Sequence, residues 1–395
     1  MLGAISTALS GMNAFSQGLQ TISDNVANLD TLGYKSQVVS FEDVFNQGGN
    51  GLDYTAGAAD DSIGAGVVEH SNMLNFTQGT MQQTGGNLDL AVQGNGFLVL
   101  KNADGDTFYT TTSQFAVDSG GFISSSSTGD RLTILNSSNQ AVPINVNAFQ
   151  TNAPVATSTI DFADNLSSAA TSASVPNMTV FDGSGAAHTW TVNLVPTATA
   201  NQWTVSVTDE TGATIGTGTI QFTNGVIDPT QSTVTISATY AGAAPLSVTL
   251  NFASVTSFAQ GSTNTLQTSK VDGSAAGTLT GITLNSSGEL VASYSNNNTV
   301  VLGSVAIADF QNPQQLLQIS NGLFQSKVGA AVTLQSSGQG GVGSLTSGEV
   351  EQSNVNLTEE FGDLILIQRG FDACSQVVSA SNDMIQDLFG LRGHG

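Results

Sequence analysis

The strongest constraint on this chain is a pair of apolar seams, one at each end. Leu2, Ile5, Leu9, Met12, Phe15, Leu19, Ile22, Val26 and Leu29 follow one another at intervals of three or four residues. Leu357, Phe361, Leu364, Ile367, Phe371, Cys374, Val378, Ile385 and Leu388 keep the same rhythm, with Ser381 as a polar interruption. That period puts each set on one face of an α-helix. Asn28, Asp30 and Gly33 are capping and breaking residues that close the first helix. Thr358 with Glu360 and Asp363 gives the second an acidic first turn, and Gly390 and Gly393 are expected to end it. All seven prolines lie between Pro143 and Pro313, so neither end carries the residue that breaks interior helical turns. Neither seam has local sequence to cover it. The economical reading pairs the two stripes with each other or with other subunits; the plainer one docks two amphipathic helices on one core.

The middle of the chain is built differently. Thr189–Leu194, Trp203–Val207, Val234–Tyr240 and Val248–Phe252 alternate apolar with polar residues, threonine above all, as half-buried strands do. Asp182-Gly183-Ser184-Gly185 reads as a hairpin turn between two such runs. Ser/Ala/Thr-rich stretches at 151–175 and 257–280 bracket this block and look like domain boundaries. A second β region is split between Leu88–Phe122 and Leu279–Leu334. The predicted class is α+β: paired terminal helices, coiled-coil-like, around nested, elongated all-β domains. The predicted organisation is a helical core of 1–34 and 350–395, linkers at 35–75 and 335–349, a split β domain of 76–150 and 279–334, and an inserted β domain of 151–278.

Seven basic residues face thirty acidic ones, a formal net charge of −23. Nucleic acid and anionic membrane both need clustered Lys and Arg, so the balance argues against them as partners. One cysteine permits no intramolecular disulfide, and no metal-binding cysteine pattern is present. No apolar run reaches the roughly 18 residues of a membrane span, and a charged secretory signal is not expected at the N-terminus. The search for chemistry returns nothing. His70, His188 and His394 lie in no nucleophile motif. Asn102–Asp106 has alternating oxygen ligands, yet Thr107 and Ser113 stand where a calcium loop needs glycine and glutamate, so a polar hairpin turn is expected. Gly338–Gly343 matches G-x-G-x-x-G without the βαβ unit that a dinucleotide site requires, and reads as a flexible connector. No catalytic residue, cofactor or metal is expected.

Four stretches, in order, carry a resemblance. Ser10-Gly11-Met12-Asn13-Ala14 is followed by Asn25-Val26-Ala27-Asn28 and Thr31-Leu32-Gly33-Tyr34-Lys35. Next come Gln93-Gly94-Asn95-Gly96-Phe97, then Ala308-Asp309-Phe310-Gln311-Asn312-Pro313 with Asn321-Gly322-Leu323-Phe324. Last are Glu351-Gln352-Ser353-Asn354-Val355 and Gln368-Arg369-Gly370-Phe371. Together they resemble the signatures of the bacterial flagellar axial family of rod, hook and hook-associated proteins: N-x-A-N-x-x-T-x-G-Y-K, Q-G-x-G-F, L-E-x-S-N-V and Q-R-x-F. Length and the inserted domain favour the hook branch over the shorter rod proteins. The sequence departs from the family at Thr110–Phe115, where T-R-x-G-x-F is common and both arginine and glycine are missing; a subunit contact is the expected place for the effect. Gly370 and Cys374 are also unusual.

The resemblance implies a structural polymer subunit of the flexible, curved tube that joins motor rod to filament, with the paired terminal helices as its inner wall. It implies many copies of the same chain as principal partner. It also implies contact with rod, hook-cap and hook–filament junction proteins, and passage unfolded through the flagellar type III export apparatus. The implied location is outside the cell, in the flagellum, with no signal peptide cleaved. Asn25, Asn28 and Thr31 are short hydrogen-bonding residues expected to satisfy the first helix's end and orient the segment after it. Glycine- and serine-rich connectors near 46–66 and 335–348 are expected to let domains shift. A distal rod or junction protein is the sibling alternative, an extracellular β-rich adhesin the alternative from another class, and a hydrolase the weakest.

Overall fold

A computed structural model describes residues 2–43, 66–69, 73–261, 263–327 and 331–392. Part of the expected connector near 46–66 lies outside these residues, as do His70 and His394. Two helices stand at the ends, α1 (Leu2–Ala27) and α2 (Leu357–Arg392), with a β-rich middle between them. The chain divides into two compact units. One holds Met1–Asn147, Ile282–Val291 and Val301–Gly395; the other holds Ala148–Gly281 and Ala292–Val300.

In the first unit α1 and α2 pack against each other, and the buried face of α1 differs from its large apolar seam. Ala8, Gly11, Ala14, Gly18, Thr21, Ile22 and Asn25 are buried, whereas Ile5, Met12, Phe15, Leu19 and Val26 are half-buried and Leu9 is exposed. The reason is steric. A Cβ on Gly11 would lie 2.8 Å from Cys374 Sγ, and one on Gly18 would lie 2.9 Å from Ile367 Cδ1. The smallest residues take the closest approach, and the large ones straddle it. On α2 the inward positions follow the expected rhythm more closely. Glu360, Ile367 and Ser381 are buried, Leu364, Phe371, Cys374, Val378 and Ile385 half-buried, but Leu357 and Phe361 are exposed. Asn356 caps α2, its Oδ1 accepting from the Thr358 amide at 3.1 Å. Gly390 does not stop the helix, which runs on to Arg392.

Besides two-stranded sheets such as Gln37–Val38 with Met73–Leu74, this unit contains one large sheet, chiefly of residues 89–143 and 307–347. The two parts of the split β region meet where Ile307–Phe310 pairs antiparallel with Phe97–Lys101. Phe76, Phe97, Phe310, Phe324 and Tyr109 interlock over it with ring centroids 4.9–5.8 Å apart. The expected connector at 335–348 is not a free tether. Ser344–Ser347 pairs with Asp89–Gln93, and the Gly343 amide donates to Asn95 O at 2.6 Å. Its glycines make a turn: Gly338, Gly340 and Gly341 have φ of 70°, 60° and 93°.

The second unit contains a sheet of nine strands among its described residues. Ala187–Pro196, Gln202–Thr208, Thr233–Ala238 and Leu246–Thr256 contain the alternating runs read from the sequence. Trp190, Val192 and Leu194 point inward to a core that includes the stacked Phe162 and Phe252, 4.6 Å apart. The Ser/Ala/Thr-rich stretches also contribute strands to this sheet. Thr159–Asn165 inserts between Leu246–Thr256, to which it is parallel, and Gln267–Val271.

One turn recurs in both units. Asn102, Asp118, Asn136, Asp182, Asp209 and Asn285 each donate their amide to the carbonyl four residues on. Each side-chain oxygen accepts from the amides two and four residues later. The fourth residue of each turn has positive φ and is glycine in five cases and Asn139 in one. Charge fits this use. Hydrogen bonds hold the carboxyls of Asp118, Asp182 and Asp209 below the usual range, led by the Phe122 amide and the Ser184 and Thr211 side chains respectively.

Candidate assembly site

No cluster of metal ligands presents itself among the described residues. Buried polar chemistry is concentrated where the segment leaving α1 crosses the segment leading into α2. These are the two halves of the terminal motifs, more than 300 residues apart.

Asn25 is the hub. It sits in the last turns of α1, 1% exposed. Its Nδ2 donates to Glu360 Oε1 at 2.8 Å and to Gln37 O at 2.9 Å. Its Oδ1 accepts from the Gln37 amide at 2.9 Å and from the Tyr34 hydroxyl at 3.2 Å. The amide's whole capacity is therefore spent on joining α1, the segment after it and α2. Asn28 and Thr31 close the helix end: Asn28 Nδ2 donates to Asp24 O at 2.8 Å, and Thr31 Oγ1 donates to Asn28 Oδ1 at 3.1 Å. Gly33 then takes φ +67° and gives its amide to Glu351 O at 2.9 Å.

Lys35 and Glu351 form a second knot. Their side chains are 3% and 1% exposed, with Nζ 2.8 Å from Oε1. Lys35 Nζ also donates to Thr77 O at 3.0 Å, and Glu351 Oε1 also accepts from the Gly79 amide at 2.7 Å. A buried ion pair is tolerable only when its remaining valences are met, as most are here. Asn354 completes the crossing. Its Oδ1 accepts from the Ser36 amide at 2.7 Å, while its Nδ2 donates to Asn75 O at 2.7 Å and Thr77 O at 3.0 Å. Gly322 lies so close to Leu32 O that no Cβ fits between them.

Burial raises two pKa values here. Desolvation first, then the charges of Asp24 and Glu360, push the Tyr34 hydroxyl up to about 12. Desolvation also raises Glu360, helped by Asp363 and Glu359 and opposed by the Asn25 hydrogen bond. A carboxylate whose folded pKa is raised binds protons more readily in the fold than in the unfolded chain. Its stability penalty is thus full above the folded pKa and relieved as pH falls toward the unfolded value of about 4.3. Glu360→Gln keeps the acceptor for Asn25 and removes the charge. We expect its melting temperature at pH 7 to rise by roughly 1–3 °C, and the gain to vanish near pH 4, in parallel calorimetric scans with the parent.

Other motif residues take separate places. Ser10 Oγ accepts from the Val67 amide at 3.2 Å, and Met12 is half-buried beside it on α1. Ala27 is the exposed last residue of α1. Gly94 and Gly96 have φ of 104° and 114°, and Phe97 enters the aromatic cluster. Asn312 caps a short 3₁₀ turn begun by Pro313. Ser353 Oγ accepts from the Val355 amide at 3.3 Å, and Gln368 and Arg369 are exposed on α2. Thr111, where the arginine of T-R-x-G-x-F is missing, is buried rather than on a surface that a neighbour could touch. Sequence reasoning missed Gln37, Thr77 and Gly79, which act through backbone groups and leave no side-chain signature. It also missed the Asn356 cap, although asparagine just before an apolar-periodic run was a usable signal.

The chain resembles known proteins throughout its length. Residues 5–35 match the family model "Flagella basal body rod protein", and residues 91–162 match "Flagellar hook protein FlgE/F/G D1 domain". Residues 145–274 match "Flagellar basal body protein FlaE D2 domain", and residues 346–391 match "Flagellar basal body rod FlgEFG protein C-terminal". The flagellar hook protein FlgE of Salmonella typhimurium is 30% identical over 98% of this chain and 100% of its own length. That of Treponema pallidum is 29% identical over 99% of this chain and 100% of its own. The crystal structure of Helicobacter pylori flagellar hook protein FlgE2 aligns with TM-score 0.49 and 11% identity over 70% of this chain and 100% of that one.

Proposed function

Since this chain belongs to the family of bacterial flagellar hook proteins, and is a structural, non-enzymatic subunit of the hook, we propose how its parts serve that polymer. The terminal helices pair in coiled-coil fashion and line the inner wall, and the β-rich remainder lies outside them. The observation that carries this reading is the apolar surface the two helices keep after packing on each other. Leu9 on α1, and Phe361, Ile365, Leu366, Val377, Met384 and Phe389 on α2, are all more than half exposed or close to it. A monomer rarely leaves such a run uncovered. Covering it with further copies, through an interface that does not close on itself, yields an open helical tube. Ile5, Met12, Phe15, Leu19, Val26, Leu357, Leu364, Phe371, Val378 and Ile385 are the remaining residues we assign to that packing, and Ile22 and Ile367 are buried within the helix pair itself.

The junction of Asn25, Lys35, Glu351, Asn354 and Glu360 holds the helix pair as one piece, so that bending is taken up elsewhere. The 335–348 segment is itself hydrogen-bonded into a sheet through Ser344–Ser347. Further partners are the rod proteins, the hook cap and the hook–filament junction proteins. The chain reaches its site through the flagellar type III apparatus. No helix among the described residues is long and apolar enough to cross a membrane.

Charge gives a direct test. At −23 per subunit, neighbouring copies repel. Salt screens that repulsion, with a Debye length of about 10 Å at 0.1 M and about 3 Å at 1 M. The polymer fraction sedimented from purified protein should therefore rise with salt, and rise again on mild acidification. Assembly that weakens steadily as salt is added would contradict the charge argument.

A further inference from the structure

Arg369 is exposed on α2, on the side away from the buried Glu360, Ile367 and Ser381. No ion pair or hydrogen bond engages it among the described residues. Other basic side chains are occupied: Lys35 with Glu351, Lys101 with Ala141 O, and Arg131 over the Phe122 ring. Leu366, Arg369, Ala373, Val377, Ala380 and Met384 follow one another at intervals of three or four, all of them exposed. They form a second strip on α2, behind the one packed on α1.

The outward strip of α1 has different chemistry. Leu9, Asn13, Ser16, Gln20 and Asp24 are exposed on it at the same intervals. Asp24 is that helix's one acid, and the helix has no Lys or Arg. Gln20 Nε2 donates to Asp24 Oδ1 at 3.1 Å, which leaves Oδ2 open to another donor.

We propose that the outward strip of α2 docks on the outward strip of α1 in a second copy, with Arg369 paired to Asp24 across the contact. The inference rests on the hook reading above and names a contact that reading leaves open. Charge selects the partner helix. On α2, Glu359, Glu360, Asp363, Asp372, Asp383 and Asp387 outweigh Arg369 and Arg392, so two α2 faces repel. α1 offers a nearly neutral face with one carboxylate, which a guanidinium matches through parallel N–H···O bonds. Size agrees, because the large Leu366, Val377 and Met384 fit between small residues such as Asn13 and Ser16. The pair cannot form within one copy. A Cβ on Gly370 would lie 2.5 Å from Phe15 Cζ, and Asn25 bonds Glu360, so Arg369 stands level with Ser16. Asp24 lies farther along α1 by roughly 12 Å, at about 1.5 Å per residue. A second copy rotated and shifted by that order along the helices brings the two together. An open helical array has such a shift, and a flat ring does not.

Charge reversal in the full-length chain tests the pair, with polymer sedimented across a concentration series. Arg369→Glu should raise the concentration needed for polymer at least about tenfold. Asp24→Arg should raise it too, although it makes the chain less negative and so eases the general repulsion between copies. The double variant carries the parental net charge and should return to within about threefold of the parent. Circular dichroism and thermal melts of the monomers should match the parent, since both side chains are exposed. The proposal is overturned if Asp24→Arg assembles as readily as the parent, or if the double variant does no better than the weaker single one. A parent that forms no polymer would overturn the hook reading and this contact with it.

Discussion

Lys35→Met should destabilise the first unit by about 3–5 kcal/mol, because it strands the Glu351 carboxylate where almost no water reaches it. For a unit of this size that is a fall in melting temperature on the order of 10 °C. The loss is one of pairing and not of bulk, and the double variant separates the two. Lys35→Met combined with Glu351→Leu removes both charges and should recover most of the stability, since well-packed apolar residues often replace a buried ion pair at little cost. The Gly79 amide and Thr77 carbonyl, each bonded to one member of the pair, set the residual deficit. Denaturant melts of the four proteins complete the cycle. A double-variant loss equal to the sum of the two single losses would show that the pair contributes no coupling, and that Lys35 acts only through its packing.

Gly18→Leu should have the larger effect on assembly. A Cβ at Gly18 already lies 2.9 Å from Ile367 Cδ1 and 3.1 Å from Val39 Cγ1. Alanine can be absorbed by small movements of those side-chain ends. Leucine cannot, and overpacking of this kind costs about 1–3 kcal/mol before the helices separate. Once α2 is displaced, the surface both helices offer to neighbours is lost together. The concentration needed for polymer should rise at least about tenfold, the equivalent of ~1.4 kcal/mol per subunit added. Gly3→Leu is the control, because nothing lies within 4 Å of a Cβ there. Sedimentation of polymer across a concentration series reads both. Assembly of Gly18→Leu at the parental concentration would show that the close helix crossing is not needed by the polymer.

The helices were the most legible part of the sequence, because apolar residues at intervals of three and four have few other uses. Which side they bury was not legible. The seam on α1 selects Leu9 and Met12, but the fold turns Gly11, Ala14 and Gly18 inward, since backbone proximity to α2 is set by the smallest side chains. Strands in the second unit announced themselves by alternation. The parallel pairing of Thr159–Asn165 with Leu246–Thr256 did not, because nothing local records a partner some 90 residues away. The candidate site was half visible. Its motif residues were recognisable, yet that Asn25 meets Glu360 and Lys35 meets Glu351 is a statement about chain crossing, which single-sequence patterns do not contain.

Helical reconstruction of polymer grown from the purified full-length chain, by electron cryomicroscopy, bears most directly on the claim that the knitted pair of terminal helices builds the hook's inner wall. The expected map shows a tube whose lumen is lined by α1 and α2 of successive copies, with Leu9, Phe361 and Val377 buried between neighbours. A tube lined by the β units, or a polymer in which those three side chains face open solvent, would contradict it.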